Sequence, residues 1–302
     1  MPSTRSSSTA SSNTRFATAR RAAMMAERPG LTTPAAVTAL ENGNRRELID
    51  ELATEEPLEI RLTAGNETRS LAVTMRTPGN DFELAAGFLY SEGIVAERDE
   101  IRGISYCVDP AIDAEQRYNI VTVELAGDMP ALERLERHFT VNSSCGVCGK
   151  ASIEALQLRA APLQDETRIS AMLIAELPEQ MRSAQRIFAS TGGLHACALF
   201  DARGNLLVLR EDVGRHNALD KIAGWALLND RMPLRECLLL VSGRASYELV
   251  QKSIAARIPI ICAVSAPSSL AVETARAFNV TLCGFVRGTK CNVYSAPERI
   301  TA

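Results

Sequence analysis

Two cysteines three residues apart, Cys145 and Cys148, stand in the polar, glycine-bearing stretch Asn142-Ser143-Ser144-Cys145-Gly146-Val147-Cys148-Gly149. Glycines on both sides let such a loop bend freely. Four readings of the pair are open. A zinc half-site needs two more ligands, and His195-x-Cys197 is the nearest companion in type. A thioredoxin-like redox pair belongs at a helix start after the first strand of a βαβ unit, whereas this pair falls between two regions. A plain structural loop is the third. The fourth is a reactive thiol: Lys150 and a following helix start favour the thiolate, which is the nucleophilic form. A mobile thiolate of that kind suits acceptance of a sulfane sulfur as a persulfide.

A second group of residues lies further along. Segments Asp212–His216, Ser242–Ser246 and Ser265–Ser269 each follow an apolar strand-like run and open a helix-like one. In an open α/β sheet such helix starts collect at the carboxyl edge, where backbone N–H groups and the helix dipole favour anions. Arg215, Arg244, Arg287 and Lys290 fall in the same loops. Taken singly, Ser246, Ser265 and Ser268 read as N-caps and each arginine as a solvated side chain; taken together they point to a phosphate-bearing ligand. The run Phe285-Val286-Arg287-Gly288-Thr289-Lys290 sets an aromatic beside two cations and a hydroxyl. A base or pterin stacks on Phe285 in this reading, with Arg287, Thr289 and Lys290 addressing phosphates. The alternative is a basic turn with Phe285 in the core.

The elements that hold these residues are legible from periodicity. Residues 46–141 read as a small α+β unit: Leu58, Ile60 and Leu62 alternate, as do Leu71, Val73 and Met75, around Ala64-Gly65-Asn66. A helix follows Pro78-Gly79-Asn80-Asp81, then strands near Ile101–Val108 and Tyr118–Leu125. Residues 142–160 form the thiol loop and a following helix. From 161 to 302 the order is α-β-β-α-β-α-β-α-β, with a helix near Ser170–Phe188 broken at Pro178 and continuous apolar strands at Leu238–Val241 and Ile260–Val264. Such runs suit a sheet buried on both faces. Residues 1–45 stand apart: ten of the first 18 are Ser or Thr, and a disordered tail is expected.

Composition narrows the class. The chain has 302 residues, 46% hydrophobic and 23% charged, with a net charge of −3. No basic field suggests nucleic acid or an anionic membrane, and no apolar run approaches the 18 or more residues of a membrane span. The short apolar stretch after Arg20-Arg21 does not make a signal sequence. A reducing, cytoplasmic setting with mostly free thiols is therefore expected.

The α-β-β-α-β-α-β order resembles the cytidine deaminase-like fold, a three-layer mixed-sheet architecture. Zinc deaminases place His-x-Glu and Pro-Cys-x-x-Cys at two successive helix starts. Here those positions read Gly214-Arg215-His216-Asn217 and Ser242-Gly243-Arg244-Ala245-Ser246, so the zinc ligands are missing and deaminase chemistry is rejected.

Longer motifs carry a second likeness. Ser143–Gly149, Thr191-Gly192-Gly193-Leu194-His195, Arg210–Lys221, Ser242–Lys252, Ser265–Ala271 and Gly284–Gly288, with Glu55-Glu56-Pro57-Leu58 and Arg76–Asp81, closely resemble the FdhD family of formate dehydrogenase accessory sulfurtransferases. The resemblance runs from about Leu52 to Ser295. It implies a cytoplasmic, homodimeric sulfur carrier that takes sulfur from a cysteine desulfurase and passes it to the molybdenum bis(guanine dinucleotide) cofactor, so that formate dehydrogenase becomes active. It also implies that Cys145 carries the persulfide, that Cys148 assists, and that Phe285–Lys290 contact the cofactor, with no catalytic metal of the protein's own. A binding protein that holds the dinucleotide without thiol chemistry is the competing reading.

Overall fold

The computed structural model describes residues 29–113, 116–131, 153, 156–157 and 160–302. Cys145, Cys148 and Lys150 lie outside the described residues, as does most of the expected tail.

The chain enters through strands β1 (Thr32–Glu41) and β2 (Asn44–Ala53), paired antiparallel with Glu41 opposite Asn44. The turn between them is Asn42-Gly43, both at positive φ (51° and 81°). That is the two-residue turn whose twist matches the flanking strands. Residues 32–45, expected as part of a disordered tail, thus form β1, the turn and the start of β2. The Ser, Thr and Arg bias of the first residues does not extend to this segment, and Asn-Gly was its local signal.

A four-stranded sheet follows, built from β3 (Glu56–Ala64), β4 (Glu67–Arg76), β5 (Ile101–Tyr106) and β6 (Ile120–Leu125) in the order β4-β3-β6-β5. One face buries Leu58, Ile60, Leu62, Val121 and Val123 against helix α1 (Asp81–Ser91). The Leu58, Ile60 and Leu62 alternation read in the sequence is this face; of the second alternating set only Leu71 is buried, while Val73 and Met75 are exposed.

The larger sheet holds six strands. They are β8 (His195–Asp201), β9 (Leu206–Asp212), β10 (Cys237–Val241), β11 (Ile260–Ala263), β12 (Thr281–Arg287) and β13 (Lys290–Ser295), ordered β13-β12-β11-β10-β8-β9. Strands β10, β11 and β12 are parallel, while β8, β9 and β13 join by antiparallel pairings. Short strands β7 (Ile169–Ser170) and β14 (Ile300–Thr301) pair beside it.

Both faces of this sheet are covered, which is why its central strands are apolar throughout. Ala196, Ala198, Phe200, Leu238, Leu240, Ile260 and Cys262 pack with Ile174, Leu177 and Met181 of helix α2 (Ala171–Ala184). The alternate residues Cys197, Leu199, Leu239, Val241, Ile261 and Ala263 pack with three helices on the other side. These follow α3 (Arg186–Thr191) in the chain: α4 (Arg215–Leu228), α5 (Tyr247–Ala255) and α6 (Ser269–Ala277). The expected break at Pro178 does not occur. Helix α2 runs through it and ends at Gln185, because its buried face outweighs the one backbone hydrogen bond that proline forfeits. The whole is a mixed α/β fold, and no described helix is long and apolar enough to cross a membrane.

Candidate functional site

The carboxyl ends of β10, β11 and β12 gather the loops picked out by sequence. Beside them lie the end of β9 and the beginning of β8, because β8 runs antiparallel to β10 with Cys197 opposite Val241. The backbone stitches the loops together. Ser242 and Ala196 exchange two hydrogen bonds of 2.9 Å, one through the Ser242 hydroxyl. Ser265 donates its N–H to Gly243 O (3.3 Å), Ser268 to Ala245 O (3.0 Å) and Phe285 to Ser265 O (3.2 Å). A rim so cross-linked holds its side chains in fixed relation.

The floor under Arg215 and His216 is a buried ion pair. Lys221 Nζ lies 2.7 Å from Asp212 Oδ2, both side chains essentially inaccessible. Asp212 also accepts from the N–H of Thr77 (3.2 Å), the N–H of Gly214 (2.8 Å) and Asn217 Nδ2 (3.0 Å). Lys221 donates to Thr77 O at 2.9 Å. Every charge here is satisfied, which is the condition for tolerating it in the interior. The network anchors the β9–α4 turn to the end of β4.

Two imidazoles stand on this floor. His216 Nε2 is 3.1 Å from Ser246 Oγ and 3.6 Å from Glu248 Oε2. Its hydrogen bond holds the Glu248 carboxyl down to about 2. His195 packs against Gly243: a Cβ on that glycine would lie 3.4 Å from the imidazole and 3.9 Å from Arg215 Cδ. Burial, then the charges of Arg215 and His216, push the His195 pKa down. The buried Nε of Arg215 meets no acceptor among the described residues. A buried guanidinium N–H left unpaired is uncommon and fits an anionic ligand at this rim.

The Phe285–Lys290 stretch divides. A bulge interrupts the β12–β13 pairing between Gly284 and Arg287, and Phe285 takes φ +54°, a left-handed conformation that an aromatic residue rarely adopts. Phe285 is thereby 41% exposed, while Val286 is turned into the core. Within the expected ligand-binding stretch, Val286 thus has its backbone rather than its side chain available to a ligand. Gly284 accommodates the close approach of Pro267, whose Cδ would lie 2.9 Å from an added Cβ. Arg287, Gly288, Thr289 and Lys290 are exposed at the tip, as is Arg244.

Of the three serines, Ser268 is a helix cap, accepting from Ala271 N at 3.3 Å. Ser246 occupies an N-cap position but makes no side-chain cap bond, and its hydroxyl serves His216 instead. His195 and Glu248 join this rim although the sequence offers His195 only as a zinc companion and does not single out Glu248; Glu248, two residues after Ser246, is the local signal for the second. Among the described residues no three His, Cys, Asp or Glu side chains are grouped to hold a metal.

The chain is similar to known proteins over nearly all of this architecture. It is 50% identical over 274 residues to a protein of Mycolicibacterium paratuberculosis named sulfur carrier protein FdhD, covering 89% of this chain and 99% of that one. A protein of the same name from Streptomyces avermitilis is 51% identical over 255 residues, covering 83% of this chain and 89% of the relative. The crystal structure of a protein described as a formate dehydrogenase accessory protein from Desulfotalea psychrophila superposes with a TM-score of 0.69 at 28% identity, covering 90% of this chain and all of that one. The FdhD/NarQ family profile matches residues 53–301, and the chain belongs to that family.

Proposed function

We propose that this chain is a sulfur carrier acting as a sulfurtransferase toward a nucleotide-bearing pterin. The Cys145 thiolate attacks the terminal sulfur of a persulfide on a cysteine desulfurase. The donor's S–S bond breaks, its cysteine leaves as a thiolate, and Cys145 keeps the sulfur as a persulfide. Cys148 assists or resolves. The acceptor is the molybdenum bis(guanine dinucleotide) cofactor, bound as substrate at the rim and destined for formate dehydrogenase. In this reading the protein is a cytoplasmic homodimer, and its larger sheet is of the cytidine deaminase-like kind without the zinc ligands.

The observation that carries the reading is the pairing, on one rim, of an exposed left-handed Phe285 with a buried Arg215 Nε that has no partner among the described residues. One suits a flat ring and the other a phosphate oxygen. Arg244, Arg287 and Lys290 add exposed cations that make no ion pair among the described residues. The names of the relatives add support for sulfur carriage.

Intact-mass measurement after incubation with a cysteine desulfurase and cysteine tests the reading. A gain of one sulfur, lost in Cys145→Ala, is expected. Retained GDP binding with no gain of sulfur would favour the competing reading, a cofactor-binding chaperone.

A further inference from the structure

Three thiols outside the Cys145–Cys148 pair meet at the edge of the large sheet. Cys262 on β11 and Cys283 on β12 are register partners in parallel strands, both fully buried. Cys291, at the start of β13, is half-buried and packs against the same core cluster. On β13 it lies two residues from Val293, the register partner of Cys283, so Cys283 and Cys291 share a face as a diagonal pair. Cys283 is the middle member: Cys262 is its register partner on one side, and Cys291 packs against the same core cluster on the other. The file therefore runs from the interior to the surface and ends at Cys291.

Its position matters because Cys283 and Cys291 bracket the bulged turn that displays Phe285, Arg287, Thr289 and Lys290. We propose that Cys283 and Cys291 form a modification site, oxidised by a peroxide to a disulfide that clasps this turn. Cys291, the accessible sulfur, is oxidised first to a sulfenic acid, with reduction of the peroxide O–O bond and release of one water. The Cys283 sulfur then displaces the hydroxyl, forming the S–S bond and releasing a second water, so that two thiols lose two electrons and two protons. The neighbouring thiols of Cys262 and then Cys291 bring the Cys283 pKa down despite burial, which favours its thiolate as the attacking partner. Cys291 is pushed up by burial and by Cys283, so the first step needs a substantial dose of peroxide.

Diagonal neighbours on an antiparallel pair lie roughly 7–8 Å apart, whereas a disulfide needs Cα atoms within about 4.4–6.8 Å. Closing the bridge must then draw the bulge inward and shift Phe285. That consequence rests on the proposed ligand site; the bridge itself does not.

Trypsin separates the two cysteines, because Arg287 and Lys290 lie between them. The test takes the reduced full-length chain with Cys145→Ser and Cys148→Ser, treats it with hydrogen peroxide, caps free thiols and maps the digest by mass spectrometry. Peptide 277–287 linked to peptide 291–299, two hydrogens lighter than the pair and released by dithiothreitol, is expected, and the link is absent when Cys291→Ser is added. A link from 277–287 to 258–276 instead, or Cys291 carried to sulfinic acid with Cys283 still free, overturns the proposal. GDP titration reads the consequence: at least fivefold weaker binding is expected after oxidation, and equal binding by both forms removes the clasp. Failure of the reduced protein to bind GDP removes the ligand reading, while the peptide map still decides the bridge.

Discussion

Gly87 on α1 and Gly224 on α4 pack backbone against backbone. A Cβ on Gly87 would overlap Asp220 O, and one on Gly224 would overlap Glu83 O. Helix α1 belongs to the small sheet and α4 carries Arg215 and His216, so this contact joins the two units behind the rim. Around it Lys252 pairs with Asp220 (2.9 Å), which also accepts from Ser91 (2.8 Å), and Arg210 pairs with Glu83 (2.6 Å). Backbone cannot yield as a side chain tip can, so a methyl group here forces the helices apart. Gly87→Ala or Gly224→Ala should each cost about 3 kcal/mol or more, at the upper end of overpacking effects. Urea denaturation followed by circular dichroism measures it; a loss within experimental scatter would contradict the contact.

Phe285 sets stability against binding. Its left-handed backbone costs an ordinary L-residue about 1–2 kcal/mol, which glycine does not incur. The side chain is exposed enough to contribute little packing. Phe285→Gly should therefore leave the fold as stable or more so, while removing base stacking of about 1–3 kcal/mol and weakening GDP binding about tenfold. Thermal melts and GDP titration on the same sample separate the two effects. Parallel losses in both would mean that Phe285 is a core residue after all.

Acid should weaken the fold through His195. In the unfolded chain this histidine titrates at its ordinary value near 6.5, and in the folded protein burial, Arg215 and His216 hold it lower. Between those values the unfolded state binds a proton that the native state does not, so stability rises with pH across the window and falls as pH drops below about 6.5. Glu248 is silent there: its carboxyl is depressed to about 2, so its contribution is present above the usual carboxylate range and is lost only as pH falls toward that value. His195→Gln should flatten the slope of unfolding free energy between pH 7 and 5.5. A slope unchanged by that substitution would locate the proton uptake elsewhere.

The amino-acid sequence by itself determined the periodic parts of this protein. Ala196-Cys197-Ala198-Leu199-Phe200 and Leu238–Val241 are apolar at every position because both sheet faces are covered, and that pattern is local. The Gly65-Asn66 turn and the helix after Asn80 were equally legible. Tertiary structure alone decided which polar residues meet. Nothing along the chain says that Ser246 serves His216 while Ser268 caps its own helix, or that His195 and Arg215 flank Gly243. Phe285 and Val286 follow the same logic: strand alternation sends neighbours to opposite faces, but the bulge and a positive φ set which of them faces solvent. Periodicity is a property of neighbours in sequence; the rim is made by strand order, which brings together residues as distant as His195, Gly243 and Phe285.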